Sequence, residues 1–404
     1  MKTSVYSLTL VEFSKLGGLK LQLVAINNQI DIFAGAYALQ RYDSGAKPNT
    51  IRVDQNAILG LYRFCEDKKI NLLQRMAELE PLTIGEIESF SSYCGVAQDA
   101  RERVSANWYT ARLRGAKKFI EYLWLFYEGR CSRNLKELEA AKRLYERMTA
   151  GFELYLKTPY KSDKKDRVGL TPELQAKFIS IIDPDKYNES NPWKTSRIRW
   201  RNYIFLLLLM LGGNRKGETL LLKLNNFQLT GRRKYYDILK SSEVNYPRAE
   251  TPSVKTYGRQ VELHDDFAAL VEYYIVNVRK EFDGWQQSSY LFLSYRDGKP
   301  MSVHTPNSTL NELIKQYPEF KGLLSPHRLR NTFHDLLNQA LDNKFKGSSG
   351  LSRKILKAPI QEAAGGWARN SSMPEHYAKG SIQAKVAELQ VLLQMEILGS
   401  LEEK

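Results

Sequence analysis

Hydrophobic positions recur at helical spacing through most of the first part of the chain. Three segments carry apolar side chains three or four positions apart, and they cover residues 51–64, 84–93 and 100–127. This spacing is typical of amphipathic helices, so residues 46–155 are predicted to form a small helical bundle. Residues 1–45 are patterned more weakly, and only the alternating run 19–24 predicts a strand. This segment is interpreted as an N-terminal arm.

The pattern changes along residues 170–404. Thr171 and Pro172 are a capping residue and a first-turn proline, so a helix is predicted to begin there. Residues 198–211 are apolar on nearly all sides, which predicts a buried central helix, and 220–224 should continue as helix. Short strands are predicted next, followed by further helices from residue 305. The predicted strands are 235–239, 256–263 and 290–294.

A polar, basic stretch separates the two patterns. Residues 156–169 are nearly free of aliphatic side chains, which is typical of an exposed linker. The predicted fold is therefore mainly α with a small antiparallel sheet: a helical bundle, a linker and an α+β domain over 170–404.

The predicted helix that begins at Ser325 carries two cationic side chains on one face of its first turns. Ser325 and Pro326 are a good cap and first-turn pair, and His327 and Arg330 follow three residues apart on one helix face. Two cationic side chains on one face suit an anion. A solvated basic helix explains the same residues when they are taken alone.

Composition and charge limit the partners. The chain has 404 residues, 43% of them apolar, with 60 lysines and arginines against 45 acidic residues and a net charge of +15. That charge favours a polyanionic partner, and nucleic acid fits better than an anionic membrane because the basic residues are dispersed. Residues 101–167 hold 17 lysines and arginines against 9 acidic residues and so supply +8 of that charge. No apolar run reaches membrane-spanning length, and the start of the chain does not have the pattern of a signal peptide.

Cysteine usage points to a reducing compartment. Cys65, Cys94 and Cys131 form an odd, widely spaced set that is expected to remain as buried thiols. We therefore expect a cytoplasmic protein.

Further polar positions follow the same chain order. Arg215 comes directly after the buried helix, with Glu218 three residues on, although an ordinary surface ion pair has this spacing too. Lys255 lies at a predicted hairpin, where lysines mostly serve solubility. Lys240 is the alternative candidate for a lysine that reaches from this hairpin into a groove. Trp367 and Tyr377 also carry polar groups, an indole N–H and a hydroxyl, but when each is taken alone it is most simply an aromatic residue that packs in the core.

Together these positions resemble the tyrosine recombinase (phage integrase) family. The matching boxes are Gly213-x-Arg215-x-x-Glu218, the hairpin Lys255, His327-x-Leu329-Arg330-x-Thr332-Phe333, Gly366-Trp367 and Tyr377. The resemblance covers residues 46–404 and places tryptophan where many members have histidine, as in the Cre-like branch. Two departures are Asn331, where histidine is frequent, and an apparent insertion at 344–359.

The resemblance implies a site-specific recombinase, an integrase or resolvase, that cuts and rejoins double-stranded DNA through a 3′-phosphotyrosine. Tyr377 would be the nucleophile, Arg215 and Arg330 would bind the phosphate, and Lys255 would protonate the leaving oxygen. His327 and Trp367 would assist, and Glu218 would orient Arg215. No cofactor and no metal are expected, and the resemblance implies a nucleoid-associated protein of bacterial, phage or plasmid type.

The resemblance also implies how DNA is held. Two domains would clamp the duplex, and four protomers would act on two sites. The final helix, with an apolar stripe over 382–397, would dock on a neighbouring protomer or pack on its own domain. The predicted DNA-binding residues are Arg112, Arg114, Lys117, Lys118, Lys161, Lys164 and Lys165.

Two other functions share these features. A type IB topoisomerase-like enzyme would use the same chemistry without strand exchange. A DNA-binding regulator would keep the fold and lose catalysis, although the intact set of polar residues argues against it.

Overall fold

The chain forms two compact units, residues 1–165 and 166–404, in a computed structural model. The structure describes residues 5–96, 103–130, 135–157, 169–240, 246–248, 250–252, 254, 257–347, 350–366 and 389–395, with only the backbone at 350–355. Within these ranges the fold is mainly helical with small antiparallel sheets, which confirms the predicted fold class. None of the helices in these ranges is long and apolar enough to cross a membrane.

The first unit consists of a small sheet followed by helices. Its strands are β1 (Tyr6–Phe13), β2 (Leu19–Ile26) and β3 (Gln29–Ile30). Its helices are α1 (Ile32–Asp43), α2 (Pro48–Asp67), α3 (Leu72–Ala77), α4 (Ile84–Cys94), α5 (Ala106–Glu128) and α6 (Leu135–Lys157). The predicted strand at 19–24 and the helices at 51–64, 84–93 and 100–127 are confirmed as β2, α2, α4 and α5, and α5 begins later than expected. Cys65 and Cys94 are buried free thiols, and Cys131 lies outside the described residues.

The described part of the N-terminal segment packs against α2. Strand β2 pairs antiparallel with β1 along its whole length and with β3 at its end. A buried amide joins this sheet to the helices, because Gln55 Oε1 accepts a hydrogen bond from Val24 N at 2.9 Å and Gln55 Nε2 donates to Ala34 O at 2.9 Å. The compact unit thus includes the segment for which the sequence predicts an arm. The domain limits at 45, 46–155 and 170 stay a prediction.

The described part of the second unit consists of helices and a three-stranded antiparallel sheet. Its helices are α7 (Pro172–Ile182), α8 (Ser196–Met210), α9 (Lys216–Leu220), α10 (Asp265–Tyr273), α11 (Thr305–Gln316), α12 (Pro326–Lys344) and α13 (Gly350–Gly365). Its strands are β4 (Phe227–Gln228), β5 (Tyr235–Ile238) and β6 (Arg259–Glu262), in the order β4-β5-β6. Helix α8 is buried from Arg201 to Met210, as its apolar sequence predicts.

Two predicted elements differ in the structure. Residues 290–294 do not form a strand, because Tyr290 and Leu293 make only isolated bridges, to Lys223 and Pro300. The consecutive buried side chains at 291–293 pack into the core, and their backbone groups bond to short loop segments instead of a neighbouring strand. Residues 220–224 are also not a continuous helix, since α9 ends at Leu220.

Helix α12 begins where the sequence predicts. Ser325 Oγ accepts a hydrogen bond from Arg328 N at 3.2 Å, and Pro326 occupies the first turn. Further along, Thr332 Oγ1 accepts from Leu170 N at 2.9 Å and Asp335 accepts from Gly169 N at 2.8 Å. The start of the unit is therefore fastened to α12.

The helical segment 389–395 also packs within this unit. Leu389 and Leu393 are buried in a cluster with residues of α12 and α13. Gln394 accepts from His264 N at 2.7 Å and donates to Glu262 O at 3.2 Å. Within one chain, this part of the predicted docking helix thus contacts its own unit.

A glycine sets the closest approach of α2 and α5, which gives a stability prediction. A Cβ at Gly115 would come within 2.5 Å of the Ala57 Cβ, whereas a Cβ at Gly60 on α2 would meet nothing within 4 Å. Gly115→Ala should lower the free energy of unfolding by about 1–2 kcal/mol, because overpacking outweighs the gain in helix propensity. Gly60→Ala should raise it by about 0.5–1 kcal/mol. Urea unfolding measures both, and a shift of the same sign in the two variants would contradict this account.

Candidate active site

The turn between α8 and α9 positions Arg215. Gly213 has φ of 62°, and a Cβ there would collide with the Phe333 ring of α12. Only glycine satisfies both conditions. Arg215 then caps α9, and its backbone N donates to Glu218 Oε2 at 2.8 Å.

Glu218 is a buried carboxylate with three guanidinium groups around it. Its side chain has no exposed surface. Oε1 accepts from Arg215 Nη1 at 3.2 Å, and Oε2 accepts from Arg259 Nη2 at 2.9 Å. Arg330 Nη1 lies 3.8 Å from the same Oε2. One negative charge is thus shared by three positive charges.

Arg215 and Arg330 also meet at a main-chain oxygen. Gly365 O, at the end of α13, accepts from Arg215 Nη1 at 3.0 Å and from Arg330 Nη2 at 2.8 Å. Arg330 Nη1 additionally donates to Gly213 O. The structure therefore brings together two arginines that stand 115 positions apart in the sequence and that the sequence assigns to one site.

The two arginines differ in exposure. Arg330 is only 2% exposed, whereas the Arg215 side chain keeps a quarter of its surface open. Burial, and then the neighbouring charges of Arg259 and Arg215, lower the pKa of Arg330. The same effects make a bound anion favourable, because an added negative charge offsets the repulsion between the guanidiniums.

Two histidines on α12 have different surroundings. His327 is exposed in the first turn of the helix. His334, one turn after Arg330, is largely buried, and burial followed by the charges of Arg330, Arg259 and Arg215 lowers its pKa to about 3. His334 is therefore neutral in the folded protein at physiological pH.

Several predicted site residues lie outside the described residues. They are Lys255, Trp367, Tyr377, Lys161, Lys164 and Lys165, whose roles stay predictions. The described chain nevertheless reaches Gly366, whose O accepts from Tyr257 N at 3.2 Å. Lys240, the rival of Lys255, lies with its Nζ 5.4 Å from the centroid of the Tyr257 ring.

The predicted DNA-binding residues of α5 fall into two groups. Arg112 donates to Cys94 O at 3.2 Å and Val96 O at 3.1 Å, and Lys117 forms ion pairs with Glu121 and Glu153. Arg114 and Lys118 are exposed one turn apart. DNA binding by these residues stays a prediction, and the exposed pair is the better placed to reach a phosphate.

Arg259 is the member of the cluster that sequence reasoning missed. It begins β6, where alternation assigns a residue to a face of the sheet but does not show that a charged side chain is buried. The sequence therefore carried no local signal for the burial of this charged side chain.

Comparison with known proteins gives one family. Residues 184–345 match the phage integrase family model, a span that holds Arg215, Glu218, Arg259, His327 and Arg330. No curated protein sequence matches the chain.

Several solved structures are similar at low identity. The Tn1549 transposon integrase in complex with transposon right end DNA is 17% identical, with 87% of this chain and 99% of that chain covered and a TM-score of 0.45. The XerH site-specific recombinase bound to difH substrate is 14% identical, with 87% and 92% covered and a TM-score of 0.40. The integrase from mycobacterium phage Brujita is 13% identical, with 89% and 91% covered and a TM-score of 0.34.

The lowered pKa of His334 predicts a pH dependence. The folded-state value lies below the usual 6.5, so the unfolded chain gains a proton that the folded protein does not take up as the pH falls through 6.5. The contribution of His334 to the free energy of unfolding is fully present above pH 6.5 and is lost as the pH falls toward 3. The loss for this group should be about 2 kcal/mol between pH 7 and pH 5.

Urea unfolding at pH 7 and pH 5 measures this loss. His334→Gln should lose about 2 kcal/mol less than the wild type over that interval. An unchanged pH dependence in His334→Gln would show that another group is responsible.

Proposed function

Because residues 184–345 are a phage integrase family domain, we propose that the protein is a site-specific DNA recombinase that works through a 3′-phosphotyrosine link. The observation that carries this proposal is the meeting of Arg215 and Arg330 at Glu218 and at the Gly365 oxygen. Such a cluster suits a phosphodiester because guanidiniums stay charged and match the geometry of phosphoryl oxygens.

The first step is strand cleavage. The Tyr377 hydroxyl oxygen attacks the phosphorus of the scissile phosphate, and its proton passes to His327 or to water. A bond forms between the tyrosine oxygen and phosphorus, while the bond from phosphorus to the 5′ oxygen breaks. That oxygen leaves with a proton supplied by Lys255, or by Lys240 if the hairpin presents that lysine.

The arginines act on the charge that develops. During attack, negative charge builds on the two non-bridging oxygens, and donors fixed beforehand stabilise it without rearrangement. Glu218 provides that fixation, since it holds Arg215 from both its backbone N and its side chain. His327, exposed at the start of α12, would assist proton transfer, and Trp367 would hold a phosphoryl oxygen.

The second step reverses the first. The 5′ hydroxyl of another strand attacks the phosphotyrosine, so the energy of the phosphodiester bond is kept, and the chemistry requires neither ATP nor metal. Exchange between two duplexes breaks four strands. One tyrosine for each cleavage gives four protomers on two sites, which is the assembly we propose.

Double-stranded DNA is the proposed partner. The charge of +15 and the exposed pair Arg114 and Lys118 support it. In the proposed tetramer, the apolar stripe that includes Leu389 and Leu393 would contact a neighbouring protomer instead of its own unit.

The proposal predicts a covalent adduct in the absence of metal. The protein is incubated in EDTA with nicked duplexes from the DNA flanking its gene, because loss of the short strand beside the nick prevents rejoining. The wild type should give a denaturation-resistant protein–DNA band. Tyr377→Phe should abolish that band and still bind the duplex, and Tyr187→Phe, an exposed tyrosine of the same unit, should keep it.

Three outcomes would contradict the proposal. An adduct that persists in Tyr377→Phe would mean that another residue is the nucleophile. Specific binding without any adduct in the wild type would favour a DNA-binding regulator over an enzyme. Relaxation of supercoiled DNA without joining between sites would favour the topoisomerase-like alternative.

A further inference from the structure

Arg259 is a buried charged residue whose position the family boxes do not explain. It is the first residue of β6 and pairs in register with Ile238 of β5. Its side chain is only 6% exposed. Burial of a guanidinium costs several kcal/mol unless its charge and its donors find partners.

Only one nitrogen of Arg259 has a partner in the described structure. Nη2 donates to Glu218 Oε2 at 2.9 Å and to Gly213 O at 3.3 Å. Nε and Nη1 are buried, and neither has a hydrogen-bond acceptor among the described residues. Two strong donors are thus left next to Glu218.

Other buried arginines of the same unit look different. Arg279 is 1% exposed, and its three guanidinium nitrogens all donate to main-chain oxygens of the 285–291 segment. Arg201 is 2% exposed, and its three nitrogens donate to Asn202 Oδ1 and Leu293 O. A buried arginine with a purely structural role is therefore fully bonded here, whereas Arg259 is not.

The charge of the cluster points to the missing partner. Arg215, Arg259 and Arg330 surround one carboxylate, so the described cluster carries two excess positive charges. Arg259 and Arg330 both donate to Gly213 O, and both guanidiniums lie beside Glu218 Oε2. Like charges this close are stabilised by an anion between them.

We propose that Arg259 is a third phosphate-binding arginine, whose unused donors bind a non-bridging oxygen of the scissile phosphate. The inference rests on the proposed function, because it assigns Arg259 to the same phosphate. Through Nη2 the residue also holds Glu218, and through Glu218 it positions Arg215. Stabilisation of the phosphate charge, whether direct or through Arg215, therefore has to be separated by experiment from mere support of the fold.

A substrate with less charge makes that separation. Replacing one non-bridging oxygen of the scissile phosphate by methyl gives a methylphosphonate, which is neutral. An arginine that stabilises charge on that oxygen is needed less by the neutral substrate. A residue that only supports the fold is needed equally by both.

The experiment compares adduct formation by the wild type, Arg259→Lys and Arg259→Gln on both substrates. On the phosphate, Arg259→Gln should be about 100-fold slower than the wild type, with Arg259→Lys in between. On the methylphosphonate the loss should shrink to within about threefold of the wild type, since little charge remains to stabilise. The comparison is a ratio between substrates for one protein, so any loss of folded protein cancels.

Arg279→Gln is the matched control. It removes a buried arginine that is fully bonded, so it should slow both substrates by the same factor. An equal loss on both substrates in Arg259→Gln, or no loss on the phosphate, would overturn the inference. The wild type reports on the proposed function separately, because absence of a wild-type adduct defeats that function whatever Arg259 does.

Discussion

The arrangement of the second unit depends on one buried carboxylate. Glu218 lies without exposed surface beside three guanidiniums, and its hydrogen bonds reach the backbone of Arg215 and the side chains of Arg215 and Arg259. A lone charge in such a place would be costly, and so would the arginines without it. The cluster is therefore stable only as a set, and that set keeps an excess of positive charge. This imbalance is the basis for proposing an anion at the cluster.

Packing of the helices fixes where that site forms. Gly213 passes so close to the Phe333 ring that no side chain fits, and its oxygen accepts from both Arg259 and Arg330. Helix α12 supplies Arg330 from the same turn that buries Leu329 and Phe333. Core packing and the arginine cluster thus use neighbouring positions on one turn of the helix. A change in the contact between α8 and α12 would move the arginines relative to each other.

Most helices of the fold and three residues of the cluster could be predicted from the sequence, because their signals lie in a few adjacent residues. The cap at Ser325 and the helix over 198–211 are properties of a few adjacent residues, and the family boxes identify Arg215, Glu218 and Arg330. Arg259 was not predictable, since strand alternation does not reveal which charged residue is buried against a partner far along the chain. The apolar run at 290–294 misled for a related reason. Burial on both sides suits a strand and a packed loop equally, and only the absence of a neighbouring strand, among the described residues, decides it.

The most direct test is a crystal structure of Tyr377→Phe bound to a duplex with its recombination site. The account predicts that one phosphate lies against the guanidiniums of Arg215 and Arg330, with a non-bridging oxygen in hydrogen-bond contact with both and the residue at 377 facing that phosphorus. If the DNA is bound and no phosphate contacts these arginines, the cluster around Glu218 is a structural feature and the account is wrong.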